Sequence, residues 1–342
     1  MRKKIFKLTG YAFLLCIIIF SLVIFLPRTY NVPQLQKRES TKYWSLSTGS
    51  RIGYTLVSAK GEKKPYPIIF LQGGPGGPIY DRNIKILSPL SEDGYNVYLY
   101  DQVGCGYSNR LENIEDYTAN RHTKDLEEII KKTGAEKVIL IGQSWGALLA
   151  TLFIADNPEK VEKVILTGPG PVYPVHGELT DIKAPDSLQL IKPVFTNANA
   201  NQITQTMRVT AMIVWAKVFG KKLASDKEAD DFQTVLNTYL SKAVVCDTSK
   251  APEAEAGGGF YSQVMTMKSL SEIKDPRPKL KNSKIPILIM KGQCDNQKWG
   301  FTTEYLELFP NHQLTVIPGA GHSISVEQPE LYLKAIREFL KK

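Results

Sequence analysis

The apolar positions change period abruptly at residue 144. Residues 137–141 read KVILI, a short, β-branched and largely apolar run, as a strand buried on both faces requires. Beyond it Ala147, Leu148, Leu149, Ala150, Leu152 and Phe153 recur at helical spacing on good helix formers, until Asn157-Pro158 stops them. The pattern predicts a sharp strand-to-helix corner at Ser144, flanked two residues away on each side by Gly142 and Gly146. Strand signatures also occur at WSLST, RIGYTLVSA, PIIFLQ (67–72), YNVYLY (95–100), VEKVILT (161–167), PILIMK (286–291) and QLTVI (313–317). Helical periodicity covers 123–132 and 329–340. Strands alternating with helices predict an α/β fold, a mostly parallel central sheet flanked by helices.

One interval breaks the rhythm. Residues 168–282 separate two core strands by 115 positions, where a crossover needs about a dozen. Helical stretches at 205–219 and 226–243, punctuated by Pro171, Pro174, Pro193 and the run Ala256-Gly257-Gly258-Gly259, predict an inserted helical lid over 171–282. The core is then 43–170 and 283–342.

The N-terminus carries a different pattern. Residues 9–26 (TGYAFLLCIIIFSLVIFL) contain no charge and follow RKKIFK. At 1.5 Å per residue they reach about 27 Å, close to the ~30 Å hydrocarbon core of a bilayer. No small-residue cleavage site follows, so an uncleaved single-pass transmembrane anchor is expected. Residues 1–8 would be its basic cytoplasmic flank and 27–42 a polar tether. The bulk of the chain would then be extracellular, at the cell membrane.

Composition narrows the function. Of the net charge of +9, Arg2, Lys3, Lys4 and Lys7 supply four, and no basic stripe interleaved with aromatics follows, so nucleic acid is not an expected partner. The cysteines at 16, 105, 246 and 294 show no C-x-x-C spacing, and neither a disulfide framework nor a zinc site is expected. The four histidines (122, 176, 312 and 322) lack metal-ligand spacing, and no metal or cofactor is expected. His122 is read as solvated, His312 as a turn residue and His176 as a second position able to face substrate.

Ser144 in G-x-S-x-G reads as a nucleophile pushed outward at a tight corner, or as a turn serine capping a helix. Downstream, Asp295 follows the strand PILIMK and His322 follows QLTVI in a small-residue loop. Each alone reads equally as a turn residue. Together they supply the orienting carboxylate and the base that a nucleophilic serine needs, in one of the known chain orders. An oxyanion hole is expected from the amide of Trp145 and from the glycine run 72–77 (QGGPGG). No Gly-Lys-Ser/Thr follows those glycines, which argues against a phosphate loop.

The chain from about 43 resembles α/β-hydrolases of the proline iminopeptidase type in QGGPGG (72–77), DQVGCGYS (101–108), GQSWG (142–146), GQCD (292–295) and GAGH (319–322). The resemblance implies Ser144 as nucleophile, His322 as base, Asp295 as orienter and the amides of Gly74 and Trp145 as oxyanion donors. It also implies that Asp101 braces adjacent loops. Gln72 and Val103 depart from the family, which usually has His and Arg there. The family's lid motif W-x-x-W-E has its nearest match in 215–219 (WAKVF), where Phe219 replaces the acid that holds the substrate's α-ammonium. Trp215 and Phe219 are expected at the substrate, with Glu253 and Glu255 as candidate replacements for that acid. The expected activity is a serine hydrolase, an aminopeptidase releasing N-terminal proline or small residues from peptides. An esterase or amidase on small apolar acyl groups is the alternative, and a silent binding protein of the same fold is the rival from another class.

Overall fold

A computed structural model describes residues 2–36, 38–253 and 255–342, with the side chains of residues 2–8 outside the described part. The strands are β1 (Lys42–Ser45), β2 (Arg51–Val57), β3 (Ile68–Leu71), β4 (Val97–Tyr100), β5 (Val138–Gln143), β6 (Val161–Thr167), β7 (Ile287–Gly292) and β8 (His312–Ile317). They form an eight-stranded sheet in the order β1-β2-β4-β3-β5-β6-β7-β8. β1, β2 and β4 pair antiparallel, and from β4 through β8 every pairing is parallel.

The central strands are apolar throughout because both faces are covered. Ile69, Leu71, Leu140, Leu166 and Ile289 enter one core, while Ile68, Phe70, Ile139, Ile141 and Met290 enter the other. This is the period of two expected of a strand packed on both sides.

Helices fill the connections: α1 (Arg2–Phe25) before the sheet, α2 (Asp81–Leu87) after β3, α3 (Ala119–Thr133) after β4 and α4 (Trp145–Asp156) after β5. Between β6 and β7 lie α5 (Asn197–Thr204), α6 (Met207–Phe219), α7 (Asp226–Ala243), α8 (Phe260–Ser269) and α9 (Arg277–Leu280). α10 (Trp299–Leu308) joins β7 to β8, and α11 (Ile324–Glu327) and α12 (Pro329–Leu340) follow. α3 starts earlier than its periodicity suggested because the Thr118 hydroxyl accepts from the Arg121 amide. That extra turn carries His122 inward. Instead of being solvated it is buried, 3.0 Å from Thr266 Oγ1 of α8.

Two further expectations change. Cys246 and Cys294 form a disulfide, joining the segment after α7 to the loop after β7. They are 48 residues apart in sequence, so no local spacing could signal it. Cys105 is buried and free.

The expected span over residues 9–26 is not supported either. Helix α1 runs from Arg2 to Phe25 and ends inside the expected span. Among the described residues no helix is long and apolar enough to cross a membrane. The basic flank 1–8 lies outside the described side chains. The end of α1 rests on α6, where Arg208 Nη1 donates to the Ile24 carbonyl (2.5 Å) and the Phe25 ring meets Trp215 edge-on at 6.3 Å.

Candidate active site

β5, β6, β7 and β8 end side by side, with Gln143 opposite Thr167, Thr167 opposite Met290 and Gly292 opposite Ile317. The loops leaving those ends therefore converge. Ser144 sits between β5 and α4 at φ 54°, ψ −117°, a strained conformation for a residue with a side chain. Its amide donates to the Thr167 carbonyl at 2.9 Å, and its carbonyl accepts from Ala147 at 2.9 Å. The flanking glycines permit the turn. A methyl at Gly146 would stand 2.0 Å from the Leu71 carbonyl oxygen, and one at Gly142 would stand 2.4 Å from that of Gly146.

His322 is buried, with Nδ1 2.9 Å from Asp295 Oδ1. The Gln297 amide also donates to Oδ1, at 2.9 Å. Burial alone would raise the Asp295 carboxyl's pKa. The imidazole of His322, the Lys291 ammonium and the Gln297 amide outweigh it and hold the group below the usual carboxylate range.

Ser144 and His322 open onto one cavity of about 290 Å³, which Gly74, Glu253 and Glu255 also line. Carboxamides dominate the rest of its wall, among them Asn197, Asn237, Gln263 and Asn296. Trp215 and Phe219 do not line it. On α6 the inward face belongs to Val209, Met212 and Ala216, so these two rings lie to one side, 4.6 Å apart, with Phe219 56% exposed. The expected aromatic contact with substrate is thus not formed, because α6 turns those rings toward α1 and solvent. His176 is exposed beside Glu178 and does not reach the cavity either.

The glycine run 72–77 is held by buried carboxamides. Gln72 Oε1 accepts from the Gly73 amide (3.0 Å), while Nε2 donates to Pro78 O and Asn83 Oδ1 (2.9 and 3.0 Å). Gln102 then bridges both sides of the expected oxyanion hole, donating to Gln72 O and accepting from the Trp145 indole N–H at 2.8 Å. Sequence reasoning passed over Gln102. Its signal was a polar side chain two residues past the apolar strand YLY, after Asp101. Asp101 ties two loops, accepting from the amides of Ile79 (2.6 Å) and Tyr107 (2.9 Å), and burial pushes its carboxyl up to about 6.

Glu327 was also missed. Its carboxylate gathers the amides of Gly321 (2.6 Å), Cys246 (2.9 Å) and Asp247 (3.1 Å), and the Ser323 amide donates to Val244 O at 2.8 Å. Together with the disulfide these bonds join the segment after α7 to the loops carrying both Asp295 and His322. Among the described residues no group of three His, Cys, Asp or Glu is placed to hold a metal.

The family model described as "alpha/beta hydrolase fold" matches residues 66–329, and the chain belongs to that family. Within it the chain is of the proline iminopeptidase type, and it is a hydrolase, serine-type by its fold family. It is 34% identical to a proline iminopeptidase of Lactobacillus helveticus over 299 residues, 84% of this chain and 93% of that one. A proline iminopeptidase of Heyndrickxia coagulans is 26% identical over 298 residues, 86% of this chain and 96% of the relative. Among solved structures, the proline iminopeptidase of Mycobacterium smegmatis covers 88% of this chain and 98% of its own, with TM-score 0.59 and 18% identity. An alpha/beta fold family hydrolase from Bacillus anthracis str. Sterne covers 87% and 98%, with TM-score 0.62 and 21% identity. The two solved structures speak to the fold alone.

Proposed function

We propose that the protein is an aminopeptidase releasing N-terminal proline or a small residue through an acyl-enzyme on Ser144. Ser144 Oγ attacks the substrate carbonyl carbon while His322 Nε2 takes the hydroxyl proton, and Asp295 orients the imidazole through Nδ1. The carbonyl oxygen, now negative, sits between the amides of Gly74 and Trp145. The latter is the first residue of α4, whose amino end favours negative charge. His322 returns the proton to the leaving amine. Water activated by His322 then releases the amino acid.

The observation that carries this reading is the sharing of one cavity by Ser144, His322, Glu253 and Glu255. A substrate ammonium taken from water costs several kcal/mol unless a carboxylate meets it. Glu255 is ion-paired with Arg82. Glu253 is exposed on the cavity wall and has no ion pair among the described residues, which supports it as the group that meets the ammonium.

The test is kcat/KM for prolyl-naphthylamide against its N-acetyl form and a short-chain p-nitrophenyl ester. Preference for the free amine is expected. A blocked substrate that equals it would replace this reading with the esterase.

We further propose that the enzyme works at the outer face of a membrane. The exposed apolar side chains of α1, among them Tyr11, Phe13 and Leu15, support attachment, and the Cys246–Cys294 bond suits an oxidising compartment. Fractionation of cells with and without external protease tests it. A wholly soluble enzyme, or one protected until lysis, would sink it.

A further inference from the structure

A lysine lies where the strand pattern calls for an apolar residue. Lys291 is the fifth residue of β7, after Ile287, Leu288, Ile289 and Met290, and is 1% exposed. Its Nζ donates to the Gln297 carbonyl at 2.8 Å and stands 3.5 Å from Asp295 Oδ2. The two oxygens of Asp295 are served differently. Oδ1 receives His322 and the Gln297 amide, whereas buried Oδ2 has no hydrogen-bond partner among the described residues. The Lys291 ammonium is the cation facing it.

We propose that Lys291 is a positioning residue for the triad: its buried ammonium fixes Asp295 and weakens that carboxylate's hold on a protonated His322, keeping the base available at lower pH. The inference rests on the triad reading above. With Lys291 present, a charged His322 makes the group Lys⁺, Asp⁻, His⁺ carry a net positive charge in a buried site. Without it the same imidazolium would be neutralised by Asp295, and protonation would be favoured.

The other charged groups nearby are already engaged. Glu327, on α11, is bonded to the amides of Gly321, Cys246 and Asp247. On α10, which packs against β7, Glu304 is paired with Arg277. Glu162 and Lys163 of β6, and His312 of β8, lie toward the far ends of those strands. Across the cavity, Arg82 and Glu255 pair with each other and Glu253 is exposed on the wall. Lys291 is therefore the cation directed at the Asp295–His322 pair.

The experiment follows the rate of labelling by a fluorophosphonate across pH 4 to 9, which requires the serine and the base but no particular peptide. Ser144→Ala serves as the control on the triad: loss of labelling upholds that reading independently of Lys291, and retained labelling defeats it. In Lys291→Met and Lys291→Gln the acidic half-point should rise by about half to one pH unit. KM for prolyl-naphthylamide should stay within about twofold, and Lys291→Arg should follow the native profile. An unchanged half-point in either uncharged variant overturns the proposal. Failure of both uncharged variants to fold would assign Lys291 to stability alone and overturn it equally.

Discussion

The carboxyl edge of the sheet and the helical insertion between β6 and β7 use similar residues under different constraints. At the sheet edge Ser144, Asp295 and His322 each follow a strand whose register places its end beside the next. A side chain there has little freedom, because the backbone leaves β5 through a corner that admits no Cβ at Gly142 or Gly146. In the insertion, helices α5 to α8 are joined by turns and loops, and a small rotation of one helix decides whether a ring meets the cavity or solvent. Trp215 and Phe219 went to the outside for that reason. Chemistry on the sheet edge is set by strand order, and the contacts of the inserted helices by their packing.

The strongest challenge to this contrast is to remove the sheet-edge chemistry. Under the proposed acyl-enzyme mechanism, Ser144→Ala and His322→Ala should each lower kcat by on the order of 10⁶, and the double variant by no more, because members of such a triad act as a unit. Additive losses in single-turnover kinetics would separate the two residues. Cutting the bond between the two regions should come next. Replacing Cys246 and Cys294 by Ser removes a constraint on a 48-residue loop, about 4 kcal/mol in the chain-entropy picture. The expected result is a lowered Tm with weakened activity, since Cys294 directly precedes Asp295 in the loop. An unchanged Tm under reducing conditions would mean that Glu327 and its amides suffice.

A third variant acts within the insertion alone. Glu253→Gln should raise KM for free-amine substrates about tenfold while leaving kcat and the ester rate nearly unchanged, the size expected for one charge-assisted bond. Should Glu255→Gln produce the effect instead, the ammonium site lies at the Arg82 pair.

The smallest effect at neutral pH concerns the contact between the two regions. Burial, with a lesser contribution from Arg121, lowers the His122 pKa to about 3. The unfolded chain takes up this proton below about 6.5 and the folded one only near 3, so this residue's stabilising contribution falls as pH drops between those values. Asp101 and Asp230 act in the opposite sense, because burial raises both to about 6 and the fold gains a proton there first. His122→Gln should flatten the acid side of a Tm–pH curve when each Tm is referred to the variant's own value at pH 8. A slope that survives the substitution would trace acid sensitivity to other groups.

From residue order alone, the strands, the corner at Ser144 and the convergence of Asp295 and His322 were legible. Strand periodicity and glycine spacing are local, and parallel crossovers leave few ways to arrange such strands. The same local logic read residues 9–26 as a span that the described helix does not support, and read His122 as solvated when one further turn of α3 buries it. What only the tertiary structure decided are the relations between distant segments. These include the Cys246–Cys294 bond, the Gln102 bridge to Trp145, the Glu327 clasp, the Arg82–Glu255 pair and the burial of Lys291 against Asp295. In each, one partner's sequence environment is unremarkable. The physical reason is that a hydrogen bond or ion pair depends on distances of about 3 Å between groups, and packing alone brings those groups together.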